Sequence, residues 1–213
     1  MRSDVHIVAM DDDLVLLDIR ADRYVCIPGG AGAVSVGRDG EVEFLHTGAA
    51  QLFHDAGFLA GSDSTWARLE DGPARPVRSW DDGASPPRIG VRRAVDMVSA
   101  ASDSFLNYRG RSFGSILAHA ARGARPGPPT ITEDLLQRVR QFHREAIWIP
   151  TPGKCLARSF VLLSFLRRSG LDARWVIAVR TWPFAAHCWL QVEDMVLDDY
   201  PERVAAFAPI CCV

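Results

Sequence analysis

The sequence predicts an α+β protein, in which a small sheet-first module precedes a larger domain of helices packed on an antiparallel sheet. Three observations lead there. Short strand-like apolar runs fill the first third. A stretch rich in Pro and Gly then interrupts them. Beyond it the apolar period turns helical, before strands return near the end. The 213 residues suffice for one ordinary domain and a small extra one. With 48% hydrophobic and 23% charged residues, the composition is that of a globular chain.

The elements follow in order. "VHIVAM" (5–10), "LVLLDI" (14–19) and "RYVCI" (23–27) are short β-type runs separated by the turn clusters "DDD" and "RAD". "AVSVGRDGEVEFL" reads as a hairpin around Asp39 and Gly40. "TGAAQLFHDAGFLAG" reads as a helix with Leu52, Phe53, Ala56 and Leu59 on its apolar stripe and Gly61 as its stop. "DGPARPVRSWDDGASPPRIG" is polar, aperiodic and full of breakers, so residues 71–90 read as a linker between a module at 1–70 and a domain at 91–213. Helices are expected over "VRRAVDMVSAASDSFLNYR", "SFGSILAHAARG" and "TEDLLQRVRQFHREAIWI", the last capped by Thr132. The helix opened by Cys155 is apolar nearly all round, the mark of a central helix, and ends at Arg167, Arg168 and Gly170. "ARWVIAVR", "AHCWLQVE" and "MVLDDY" are expected as three strands.

Several function classes are disfavoured at once. Five cysteines are an odd number, widely spread and without a C-x-x-C pair, which argues against a disulfide framework and against zinc. No metal or other cofactor is expected, and no Walker-type phosphate loop occurs. Residues 1–70 carry five Arg against twelve Asp and Glu, a net −7, whereas the remainder carries +5. An acidic first third is the wrong sign for nucleic acid. No apolar run reaches about 18 residues and no signal-peptide core is seen, so a cytoplasmic protein without a membrane partner is expected.

Cys155 carries the first chemical signal. At a helix start the free N–H groups and the macrodipole favour a thiolate, and Lys154 adds a positive neighbour. Such N–H groups can also hold an oxyanion. Taken alone, a free Cys is more often inert filler. A nucleophilic thiol needs a base, and the base an orienting group. His187 stands 32 residues on, at the start of "AHCWLQV", and Asp198 or Asp199 follows in "VLDDY". Antiparallel pairing alternates faces with period 2, so an odd loop around Glu193 and Asp194 puts Asp199 on the face of His187, and an even one puts Asp198 there. Sequence parity leaves both open.

The stretch from Cys155 to Ile210 resembles the leader peptidases of lasso-peptide biosynthesis, which are transglutaminase-like cysteine proteases. The residues that carry the resemblance are a Cys opening a helix that ends in "RRSGL", a strand ending in "VR", then "PFAAHCW", an apolar strand with a terminal Asp, and a closing "PERV". The resemblance extends over 91–213 and implies a transglutaminase- or papain-like domain. By position it implies Cys155 as nucleophile, His187 as general base and Asp199 as orienting acid, hence an odd loop or a bulge between the last two strands. Cys188 replaces the small residue usual after the His, and Asp198 stands where Asn is typical. In some relatives a winged-helix-like module holds the precursor's leader as an added strand. By that likeness Arg23, Tyr24, Val25, Cys26 and Ile27, with Leu52, Phe53 and Ala56, would line the leader groove. The resemblance also implies two partners: the precursor peptide and an ATP-dependent lasso cyclase. A transglutaminase-type acyltransferase, or a non-catalytic scaffold for the cyclase, is the alternative.

Overall fold

The computed structural model describes residues 1–36, 42–59, 72–81, 91–146 and 155–213, and its contacts divide the chain into two compact units. One comprises residues 1–72, 178–186 and 207–212; the other comprises 73–177, 187–206 and Val213.

In the first unit, β1 (Val5–Met10), β2 (Asp13–Asp18) and β3 (Arg23–Ile27) form an antiparallel sheet in that order, with Val8 opposite Val15 and Leu16 opposite Val25. Leu14, Val15, Leu16 and Leu17 of β2 are all buried, which explains why this strand reads as a continuous apolar run rather than an alternation. β4 (Val34–Val36) pairs with β5 (Val42–Phe44) in the register of a hairpin centred at residue 39; the turn itself, 37–41, lies outside the described residues.

α1 (Thr47–Asp55) is shorter than the sequence suggests. It closes at Gly57, whose φ of 74° suits glycine, rather than at Gly61, which lies outside the described residues. The expected stripe is corrected accordingly. Phe53 enters a core with Met1, Val5, Ile7, Leu14, Leu16, Val34 and Phe58, and Leu59 packs against it. Leu52 and Ala56 face solvent instead.

The second unit is built around helices. α2 (Val91–Asn107) and α3 (Phe113–Arg122) are followed by α4 (Glu133–Glu145), α5 (Cys155–Arg168) and the short α6 (Pro201–Val204). Ser112 caps α3, and Thr132 Oγ1 accepts the Leu135 N–H at the start of α4. α5 buries Ala157, Ser159, Phe160, Val161, Leu162, Leu163, Phe165 and Leu166, so its all-round apolar character does mark a central helix. Gly170, at φ 80°, turns the chain out of α5, and Leu171 N–H closes back on the Leu166 carbonyl.

β7 (Arg174–Arg180), β8 (Ala185–Val192), β9 (Met195–Val196), β10 (Ala208–Cys212) and β6 (Arg78–Ser79) make a sheet ordered β10-β7-β8-β9-β6. Two of these strands escaped the sequence reading. β10 is the chain's closing segment, and β6 lies inside the stretch read as a linker, where it pairs in parallel with β9. Around it Val77 and Arg78 donate to the Asp194 carbonyl, Trp80 N–H to Val196, and Gln191 Nε2 to the Ala74 carbonyl. Among the described residues no helix is long and apolar enough to cross a membrane, and no group of three metal-ligating side chains occurs.

Candidate active site

Cys155 is the first residue of α5 and is half-buried, so the helix start points its unpaired backbone donors toward the thiol's end. Lys154, with the rest of 147–154, lies outside the described residues. His187 comes from β8 and Asp199 from the segment after β9; both are buried. His187 Nε2 lies 2.6 Å from Asp199 Oδ2, which leaves Nδ1 for the Cys155 thiol, to which the ring also hydrogen-bonds. Asp199 Oδ1 accepts the Tyr200 N–H at 2.9 Å, and Arg203 lies 3.7 Å away. The thiol, imidazole and carboxylate singled out in the sequence thus meet in one cluster.

The electrostatics favour an ion pair. A hydrogen bond from Cys188 is the largest influence pulling the Cys155 thiol down, to about 4; burial opposes it, and the hydrogen bond and charge of His187 assist. Burial works against the His187 imidazolium, but Asp199 and the Cys155 thiolate outweigh it and lift the ring to about 9. Asp199 stays below the usual carboxylate range because His187, the Tyr200 N–H and Arg203 together overcome its burial. Cys188 moves the opposite way, driven well up by its hydrogen bond to Cys155 and by burial, and so remains a neutral S–H donor. Between the two ionisations the resting state is thiolate and imidazolium.

The expected odd loop or bulge between the last strands does not occur. Gln191 pairs with Val196 and Val192 with Met195, so the loop is the even pair Glu193 and Asp194. That register would put Asp198, not Asp199, on the face of His187. The ladder ends instead. The Leu197 N–H still reaches the Leu190 carbonyl, but the Leu190 N–H goes to Asp198 Oδ1 at 2.8 Å, and residues 197–199 bend out of the strand. "MVLDDY" is therefore a two-residue strand followed by a bend, and the bend delivers Asp199 to His187.

The surroundings hold groups that sequence reasoning passed over. Ser159, one turn beyond Cys155 on the same helix face, donates to Asp198 Oδ2 at 2.5 Å. His143 of α4 donates from Nε2 to the Leu197 carbonyl at 2.7 Å, accepts Arg158 at Nδ1, and stacks on Trp80 with ring centroids 3.7 Å apart. Burial, the largest influence, holds His143 down at about 4, in line with the neutral ring these bonds require. A serine one turn beyond Cys155 in a mainly apolar helix was the available signal for Ser159. His143 had none beyond its place on an amphipathic helix.

The residues expected to hold a leader lie in the first unit. β3 is an edge of its three-stranded sheet. Val25 and Ile27 face inward and pack on the core that contains Phe53, while Arg23 is exposed, its guanidinium over the Phe58 ring. Tyr24 and Cys26 point the other way, Tyr24 beside Phe184. Leu52 and Ala56 are exposed, whereas Phe53 is a core residue.

Helices on a sheet, with a thiol at a helix start and an imidazole on a strand, describe the geometry; comparison places the chain in a known class. The pattern of the transglutaminase-like superfamily matches residues 97–212, more than half of the chain, and the chain belongs to that superfamily. Within a shorter stretch it is similar to the microcin J25-processing protein McjB of Escherichia coli, 43% identical over 47 residues. That stretch covers 22% of this chain and 23% of the relative, so the match spans about a quarter of the relative's length. No solved structure matches the chain significantly.

Proposed function

We propose that the chain is a cytoplasmic cysteine peptidase that removes the leader from a ribosomally made lasso-peptide precursor, freeing the core N-terminus for an ATP-dependent cyclase. The observation that carries this reading is the Cys155–His187–Asp199 cluster, with its polarised thiol, in a superfamily member locally similar to a microcin-processing protein.

In this mechanism the Cys155 thiolate attacks the carbonyl carbon of the scissile amide, and backbone N–H groups at the start of α5 stabilise the oxyanion. The His187 imidazolium gives its proton to the departing core nitrogen, breaking the C–N bond and leaving the leader as a thioester on Cys155. Neutral His187 then takes a proton from water as its oxygen attacks the thioester; the C–S bond breaks, the leader leaves as a carboxylic acid, and the thiolate–imidazolium pair is restored. Asp199 holds the ring with Nδ1 toward sulfur and stabilises its charge.

The N-terminal module, residues 1–70, would take the leader as a strand added beside β3, whose edge offers backbone donors and acceptors. Side chains of Arg23–Ile27 and the exposed Leu52 and Ala56 would then meet the leader's side chains, with Phe53 shaping the groove from beneath. Tethering the leader there raises the effective concentration of the scissile bond to about the millimolar range. Incubating the purified chain with a precursor from its own gene neighbourhood, followed by mass spectrometry, tests the reading. A free leader carboxylate is expected; an amine adduct would instead indicate acyl transfer, and processing by Cys155→Ala would indicate a scaffold.

A further inference from the structure

Asp198 and Asp199 are neighbours with different surroundings. Asp199 serves His187, while Asp198, partly buried, bonds instead to a backbone N–H and a hydroxyl. Its Oδ1 accepts the Leu190 N–H at 2.8 Å, and its Oδ2 accepts the Ser159 hydroxyl at 2.5 Å. The first bond takes the place of a ladder bond, because the Leu190 N–H would otherwise meet the Leu197 carbonyl. The freed carbonyl is not orphaned: His143 Nε2–H occupies it at 2.7 Å. The second bond joins this break in the ladder to α5, one turn beyond Cys155.

We propose that Asp198, gripped by Ser159, is a positioning residue: it ends the β8–β9 ladder at Leu197 and ties the resulting bend to the helix of Cys155, so that Asp199 meets His187 against the strand parity. The proposal rests on the reading of Cys155, His187 and Asp199 as the reacting groups. It accounts for three features together. The ladder stops although no residue is inserted. A carboxylate occupies a site where an apolar side chain would avoid the desolvation cost. And a serine, Ser159, is fully buried among the apolar side chains of α5. Burial, first among the influences on Asp198, lifts it to about 6, against the pull of Ser159, the Leu190 N–H and Arg158.

The links are hydrogen bonds, so shape and donor pattern should matter more than charge. An asparagine preserves both, its carbonyl oxygen accepting the Leu190 N–H and its amide nitrogen donating to Ser159 Oγ. An alanine preserves neither. The test compares Asp198→Asn, Asp198→Ala and Ser159→Ala in the full chain, by precursor kinetics and by the pH profile of Cys155 alkylation with iodoacetamide, read at that cysteine by peptide mass. For Asp198→Ala we expect kcat to fall about 100-fold with KM within about threefold, the size expected when reacting groups shift by an ångström or so. The alkylation midpoint should rise toward that of an ordinary thiol. Ser159→Ala should move both in the same direction, kcat by about tenfold, and Asp198→Asn should restore both to near the parent.

An Asp198→Ala protein with the parent's alkylation profile and kcat would overturn the proposal, as would an Asp198→Asn protein as impaired as Asp198→Ala. If circular dichroism shows that Asp198→Ala does not fold, Ser159→Ala decides, and an unchanged profile there overturns it. Alkylation involves no precursor, so a failure of the peptidase reading, seen as cleavage that survives Cys155→Ala, remains distinguishable from a failure of this one.

Discussion

At the reacting cluster His187 and Asp199 are 8% and 7% exposed, whereas Leu52 on α1 is 70% exposed and Arg23 and Cys26 of β3 lie open. In the cluster His187 and Asp199 are buried and hydrogen-bonded to each other, beside the half-buried Cys155. Along β3 the useful groups belong to the backbone, and side chains only decorate them. The contrast teaches where sequence change should be felt. A thiolate–imidazolium pair depends on a low-dielectric setting and on sub-ångström placement, so single atoms count. An added strand is held by many similar backbone bonds, so no one side chain dominates.

The largest expected break in that contrast is Cys155→Ala. Precursor cleavage should fall by about 10⁴-fold or more, with the circular dichroism spectrum unchanged, as for nucleophile removal elsewhere. Next comes Asp199→Asn, which keeps shape but removes the charge that supports imidazolium. Single-turnover cleavage should slow by about 10³-fold, and the Cys155 alkylation midpoint should rise.

The pH dependence follows with the sign set by the two shifts. Thiolate forms as pH rises through about 4, and imidazolium is lost as pH rises through about 9. Cys155 alkylation should therefore stay level from about pH 5 upward and fall about tenfold per unit well below pH 4, where the thiol is protonated. Cleavage should also decline above pH 9, where His187 no longer carries the proton needed by the leaving nitrogen. A midpoint near that of a free cysteine would remove the ion pair from the mechanism.

Smallest is Leu52→Asp on the exposed side. Binding of a fluorescent leader peptide, followed by anisotropy, should weaken about tenfold, the equivalent of roughly 1.4 kcal/mol and of partial burial of one leucine. Hydrolysis of a short leaderless substrate should be unaffected. Equal loss in both assays would show that the two regions are not separable in the way their burial suggests.

Much of this was legible from residue order. The strand runs of the module, the capped helices and the buried helix behind Cys155 follow from period and punctuation, because local apolar spacing decides them. The Cys155 and His187 pairing was legible from residue type and separation. Asp199 was legible only through resemblance. Parity with the observed two-residue loop points to Asp198, and what reverses it is a long-range contact: Ser159 and the Leu190 N–H each holding one oxygen of a carboxylate that no local pattern marks. The stripe on α1 failed for a related reason. Leu52 and Ala56 turn to solvent while Phe53 enters the core, and Leu59, beyond the helix that Gly57 ends, still packs against it. β6 was hidden because two residues flanked by Pro and Gly carry no period; only their partner, β9, makes them a strand.

The same strand redraws where the chain can be cut. Residues 73–81 look like slack, yet they hydrogen-bond to Gln191, Asp194 and Val196 and lay Trp80 flat on His143. A fragment begun at Val91 would discard a sheet edge together with the indole that covers one of the bend's anchors. One begun at Pro73 would keep both. Whoever divides this polypeptide into two genes, by evolution or by cloning, has reason to place the seam ahead of Pro73, with the apparent linker travelling as the first structural segment of the downstream protein.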